Sequence, residues 1–312
     1  MAGTASSQLR SAYISELTPG TIPATPAFKA LHRPALLSAA AQTIQGRSLV
    51  AKGARLGHAV NGIDVTGSLE SPLIYGVYDD FLATLLQSAW ATNVLKDGKA
   101  ETTLAVENAM PAGVGGTSTM LRYRGVEATG GTLNLTAREA ATLNLTLAGR
   151  GSDAAAITAI TGATYPDPTE ADPLSSGKDV GTIVFNGYTL DCMQSLEINF
   201  GYENRELQPK ISSNELCGIT RGDFMPVLTA RMYIEANFLA IYNAARERHA
   251  AFSVTVPLGS VTTEKYTLVF PSCFFGPTEI DRSGASVMQS IQIMPQYDVV
   301  SSAVVTVTRA IV

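Results

Sequence analysis

The sequence predicts a mainly β protein in two halves, each with one flanking α-helix. Three observations carry this: apolar residues alternate with period two along most of the chain, helical stripes are few, and one strand-to-helix unit recurs near both ends.

The first unit spans residues 63–90. Val65, Gly67 and Leu69 alternate with Thr66, Ser68 and Glu70, as in a strand with one buried face. Pro72 ends the ladder because it has no backbone donor. Tyr78, Phe81, Leu82, Leu85, Leu86 and Ala89 then recur at helical spacing and form one apolar stripe. Asp79 and Asp80 fall in the first turn, where the helix dipole favours carboxylates. Neighbouring helical residues diverge by about 100°, which argues against a catalytic dyad.

The second unit opens with Val227, Thr229, Arg231 and Tyr233 alternating with Leu228, Ala230, Met232 and Ile234. The stripe Ile234, Phe238, Ile241, Tyr242 and Ala245 follows, and Arg246, Arg248 and His249 close it with cations that suit a last helical turn. Two copies of one unit predict a duplicated domain, with a first domain at 11–151 and a second at 180–312. A loose arm at 1–10 precedes them. Between them, 152–179 holds Asp153, Asp167, Glu170, Asp172 and Asp179 and is broken by Pro166, Pro168 and Pro173, as in an acidic linker or exposed loop.

Composition narrows the class. At 312 residues with 46% hydrophobic content, an ordered protein with sizeable cores is expected. No apolar run reaches the ~18 residues of a membrane-spanning helix, and the first residues lack a signal-peptide pattern. Cys192, Cys217 and Cys273 have no CxxC spacing and are expected as free thiols of a protein made in a reducing cytoplasm. With 22 basic against 27 acidic residues, the net charge of -5 argues against tight nucleic-acid binding. Only 16% of residues are charged, against about 25% in average domains, so much of the surface is expected to lie against partners.

The remaining elements follow in order. Ser11, Tyr13 and Ser15 alternate in a short strand, Thr18-Pro19-Gly20 turns, and Pro23 and Pro26 hold the next segment extended. Residues 36–62 lack a core face and read as a long basic loop, and residues 202–218 repeat the long irregular loop in the second half. A strand begins at 102–106. Gly113-Val114-Gly115-Gly116-Thr117 lacks the Lys of a P-loop. The clearest hairpin is 132–147, with Leu133, Leu135, Leu143, Leu145 and Leu147 on one face and uncharged Asn and Thr on the other. Further strands are expected at 183–185, 193–200, 266–270, 287–294 and 303–308. Arg221-Gly222-Asp223 reads as a chance tripeptide.

No active site emerges. His32, His58 and His249 are scattered without metal-ligand spacing, and no GxSxG elbow accompanies the serines. The sequence calls for no enzyme, cofactor or metal.

One resemblance stands beside this reading. Tyr13-Ile14-Ser15-Glu16-Leu17-Thr18-Pro19-Gly20-Thr21-Ile22-Pro23, continuing through Phe28-Lys29, resembles the opening of tail tube (major tail) proteins of long-tailed phages. It extends through Arg55-Leu56-Gly57, Tyr75-Gly76-Val77-Tyr78-Asp79-Asp80-Phe81-Leu82 and Trp90-Ala91-Thr92-Asn93-Val94-Leu95-Lys96, covering most of 11–151. Beyond Asp179 only the family's pattern is visible. The resemblance implies two tail-tube-like β-sandwich or β-barrel domains, rings that stack into a tube, and a bore that conducts DNA without binding it. Such rings usually have six tube domains, so a duplicated chain would need three copies. Tail terminator, tape measure and baseplate proteins are implied partners. The alternative is a subunit of a secretion tube or surface fibre of similar β architecture.

Two sets of residues are expected to matter. In a wall one strand thick, polar side chains face the bore, which nominates Asn134, Thr136, Asn144 and Thr146, with Glu197, Asn199 and Gln292 in the second half. Residues 36–62 and 202–218 are expected to be loops that order against the neighbouring ring. There Arg47, Lys52 and Arg55 need acidic partners, with Glu203, Glu206 and Glu215 as candidates.

Overall fold

The computed structural model describes residues 8–49, 52–111, 118–168, 172–185, 188–189, 192–234, 238–247, 251–261 and 263–310. Most of the expected arm, the Gly-rich 113–117 run, and Arg248 and His249 lie outside the described residues.

The first half forms β1 (Arg10–Ser15), β2 (Lys29–Ala30), β3 (Leu36–Leu49), β4 (Arg55–Pro72), α1 (Asp79–Leu85), β5 (Val94–Lys96), β6 (Leu104–Met110), β7 (Thr119–Thr136), β8 (Thr142–Gly149) and β9 (Gly151–Ser152). The second half opens with β10 (Val184–Phe185), β11 (Tyr188–Thr189), β12 (Met193–Phe200), β13 (Tyr202–Glu203), β14 (Leu207–Pro209), β15 (Leu216–Ile219) and β16 (Asp223–Phe224). It continues with β17 (Val227–Tyr233), α2 (Phe238–Glu247), β18 (Phe252–Leu258), β19 (Tyr266–Asp281), β20 (Met288–Pro295) and β21 (Thr306–Arg309). The protein is mainly β, as expected.

The alternations read from sequence become strands with one buried face. Val65 and Leu69, all five hairpin leucines, Leu196, Ile198 and Phe200, and Leu228, Ala230 and Met232 are buried. Burying a Leu or Phe side chain contributes about 1.5–3 kcal/mol, so these rows outweigh any single polar contact. The third inward position of β4 is Gly67, where a Cβ would stand 2.1 Å from the Leu36 carbonyl oxygen. A side chain there would push β3 off β4.

All the pairings named here are antiparallel, and their order is the same in both halves. In the first half β3 pairs with β4, β4 with β8, β8 with β7, β7 with β6, and β6 with β1. In the second, β12 pairs with β17, β17 with β20, β20 with β19, β19 with β18, and β18 with β10. The long strands β7 and β19 each switch partner midway, beside a register irregularity at Ala128/Gly130 and at Phe275/Thr278 respectively. Such irregularities bend a strand so that it can serve two layers. Each half places its helix after the equivalent strand, α1 after β4 and α2 after β17.

The two halves are joined by strand pairing, β7 with β12 and β5 with β21. The buried apolar cluster runs through both. The described residues of 152–179 are mostly exposed and strap the first half through Phe28 N–H to Thr164 O (3.0 Å) and Ala141 N–H to Leu174 O (2.8 Å).

Three sequence expectations need correction. Residues 36–62 are not a loop: β3 and β4 pair from Leu36↔Ser68 outward to Leu49↔Arg55 as a long, largely exposed hairpin. The β3–β4 ladder satisfies the backbone groups that face each other across the two strands, so no core face is required for order. Residues 202–218 carry β13, β14 and β15 and dock on their own chain, with Leu216 N–H donating to Arg150 O at 2.9 Å and Ile63 N–H to Asn214 O at 2.8 Å. Finally, α1 stops at Leu85, before Ala89, because Gln87 takes a left-handed φ of 51°.

Candidate bore-facing surface

The pairings β3–β4–β8–β7–β12–β17–β20–β19 make one continuous run of eight strands through both halves. Side chains alternate across a strand, so the buried rows fix a second face that points away from the apolar core. Every residue nominated for the bore lies on that face. Thr142, Asn134, Glu197, Thr229 and Gln292 form one row across five strands. Glu70, Asn144, Thr132, Asn199 and Val227 form the next. Thr136 stands beside Ser195 and Arg231 in a third row, and Thr146 faces Ser68 in a fourth.

Sequence reasoning missed part of this surface. Asp64 and Glu70 on β4, and Glu279 and Asp281 on β19, share the face with Glu197, against Arg231 on β17. Arg231 is paired with Asp281 at 2.6 Å. Among the described side chains on this open part of the face, five carboxylates against one guanidinium leave a net −4 per chain. Glu70 was readable, because it closes the alternation of Thr66 and Ser68; Glu279 and Asp281 stand beyond the irregularity in β19, where counting by twos fails.

Beyond the bulge of β7 the face is covered by residues 201–226. Glu127 is fully buried there, its Oε2 accepting from Arg205 Nη2 at 2.7 Å and Arg221 Nη2 at 2.8 Å. Burial lowers the pKa of Arg205, opposed by the Glu127 charge. The Arg205 guanidinium also stacks over the Tyr202 ring at 5.0 Å, and Tyr202 donates its hydroxyl to Leu85 O of α1. A second buried contact joins the halves at Asp79, whose carboxylate accepts from Tyr266 and Arg309 while its backbone carbonyl accepts from Trp90 Nε1 at 2.9 Å. Asp80 instead faces Lys29 at 2.5 Å. The two acids are tied to separate partners, in line with the reading that they are no dyad.

Among the described side chains, Lys52 is not brought together with Glu203, Glu206 or Glu215 within one chain. Lys52 is exposed at the tip of the β3–β4 hairpin, and the side chains of Arg47 and Arg55 lie outside the described residues. Glu203 and Glu206 are exposed, whereas the Glu215 carboxylate is taken by Arg124. Among the described residues no group of three His, Cys, Asp or Glu side chains could hold a metal.

A wide antiparallel sheet with one long polar face defines a mainly β protein. The chain belongs to the phage tail tube protein family, whose model matches residues 6–295, nearly its whole length. It is therefore a structural component of a phage tail, a tube-forming subunit of the virion. No curated protein matches the chain.

Proposed function

We propose that three copies of this chain close into a pseudo-sixfold ring, and that stacked rings form the tube through which DNA leaves during ejection. Each chain supplies two tube domains, 11–151 and 180–312, with 152–179 between them. One observation carries this reading: the pairing order β3–β4–β8–β7 recurs as β12–β17–β20–β19. Four strands from each half make eight per chain and 24 per ring. Barrels of about 16–18 strands already hold an aqueous channel, so 24 leave a wide one. The net −4 face lines that bore and repels the phosphate backbone, which lets DNA slide without releasing counterions to a basic wall. The role is non-enzymatic and needs no cofactor. The subunit is made in the host cytoplasm and meets other copies of itself, with the tail terminator, tape measure and baseplate proteins at the limits of the tube.

The test is mass and shape together. The purified protein should give rings of about 98 kDa, three times the 32.8 kDa chain, and hollow stacked tubes in electron micrographs. Rings of six chains, or solid fibres, overturn the proposal.

A further inference from the structure

We infer that the ring closes by pairing the outer edge of β19, residues 278–281, with the outer edge of β3, residues 36–39, of the next copy. The register is the one that β7 and β12 already show inside the chain. This rests on the ring reading above and specifies which edges make it.

The eight-strand run has two ends. Among the described residues β3 pairs only with β4, and the last part of β19 pairs only with β20. An open edge is a row of unpaired donors and acceptors, which folded proteins cover, charge or pair. These two edges differ, so a contact between one and the other is not related by a two-fold axis. A contact between them is head-to-tail, and it closes into a ring when the rotation allows.

The halves supply the template. Leu37, Gly67, Leu147 and Ala128 form a row across β3, β4, β8 and β7. Ile198, Leu228, Ile293 and Phe275 form the equivalent row across β12, β17, β20 and β19. Leu37 therefore stands where Ile198 stands. Four residues along β8 and β20, the row of Ser71, Leu143 and Leu133 matches that of Met232, Gln289 and Ile280. Ile280 therefore stands where Leu133 stands. Inside the chain Leu133 pairs with Ile198. Between copies, Ile280 then pairs with Leu37, with Glu279 opposite Ser38, Asp281 opposite Leu36 and Thr278 opposite Ala39.

Side-chain chemistry agrees with that register. Leu37 lies on the core-facing side of β3, and Leu36, 62% exposed in the single chain, gains a neighbour. Glu279 and Asp281 meet only uncharged residues, so no like charges are opposed. Leu37 N–H donates to Ala35 O at 3.0 Å in the single chain, a bond that closure exchanges for one to the next copy. The Leu37 carbonyl, which accepts from the Tyr123 hydroxyl at 2.8 Å, keeps a second lone pair for a strand.

Antiparallel partners have Cα atoms about 4.5–5.5 Å apart, inside the roughly 4.4–6.8 Å window for a disulfide. The test is S38C with E279C in a chain whose exposed Cys192 and Cys217 are replaced by Ser. Rings of this variant are first confirmed in micrographs under reducing conditions, then oxidised. Denaturing gels without reductant should show dimer and trimer bands that collapse to monomer on reduction and do not extend beyond trimer. Each single-Cys chain should stay monomeric on the same gel. S38C with D281C, two residues off register, should link at least tenfold less. Rings that form without the S38C–E279C link, or that link both pairs equally, overturn the edge assignment alone. Protein that forms no rings at any concentration overturns the ring reading, and this inference with it.

Discussion

Glu127 is the residue on which the junction of the two halves turns. Its carboxylate is fully buried, and its guanidinium partners Arg205 and Arg221 come from the segment between β12 and β17. Removing one member of a buried ionic cluster leaves the others uncompensated, at about 3–5 kcal/mol. E127A should lose about that much stability in urea denaturation, and E127Q less, because an amide still accepts one hydrogen bond. A loss under about 1 kcal/mol for E127A would show that water already solvates the cluster. None of this was legible in the sequence. The partners lie 78 and 94 residues away, and an ion pair across that distance leaves no local period. Arg221, read as part of a chance tripeptide, is spent on this contact.

The β3–β4 hairpin shows what a sequence does and does not record about an element. The alternation Val65, Gly67, Leu69 and the leucines of β7 and β8 announced strands because one face of each is buried. Among the described side chains of residues 38–62 both faces of the hairpin are largely exposed, and the residues are mostly small or polar. There is then no amphipathic period to read, and the order comes from the ladder itself. At the base of the hairpin Gly67 is required by the 2.1 Å approach to the Leu36 oxygen. G67A should cost about 1–3 kcal/mol and speed amide exchange along residues 36–39, the segment assigned to ring closure. Unchanged exchange there would show that the backbone yields without cost. The tip carries a separate expectation. Deleting residues 45–54 should leave a folded chain that closes rings but does not stack them, read as single rings where the unmodified chain gives tubes. Tubes of normal length from the deletion variant would remove Arg47 and Lys52 from stacking.

At the scale of the whole molecule the question is which way the polar face points. The rows through Asn134 and Asn144 lie mid-sheet in the eight-strand run, so a cation placed there reaches the middle of the proposed bore. Asn134 faces Glu197, and Asn144 faces Glu70, so each new ammonium in N134K/N144K meets a carboxylate across the strands. That double variant moves the face from −4 to −2 and should give a modest defect. Adding E70Q and E197Q takes it to neutral, a change of +4 per chain and +12 per ring of three. The inward leucines are untouched, so tubes should look normal. DNA passing such a wall would exchange counterions for lysines at every ring, and the drag should weaken as salt rises. The expected outcome is therefore graded: infectivity falls with the double variant, falls further with the quadruple, and recovers partly when ejection is triggered at higher ionic strength. Equal infectivity for all three, with intact tubes, would place this face on the outside of the tail.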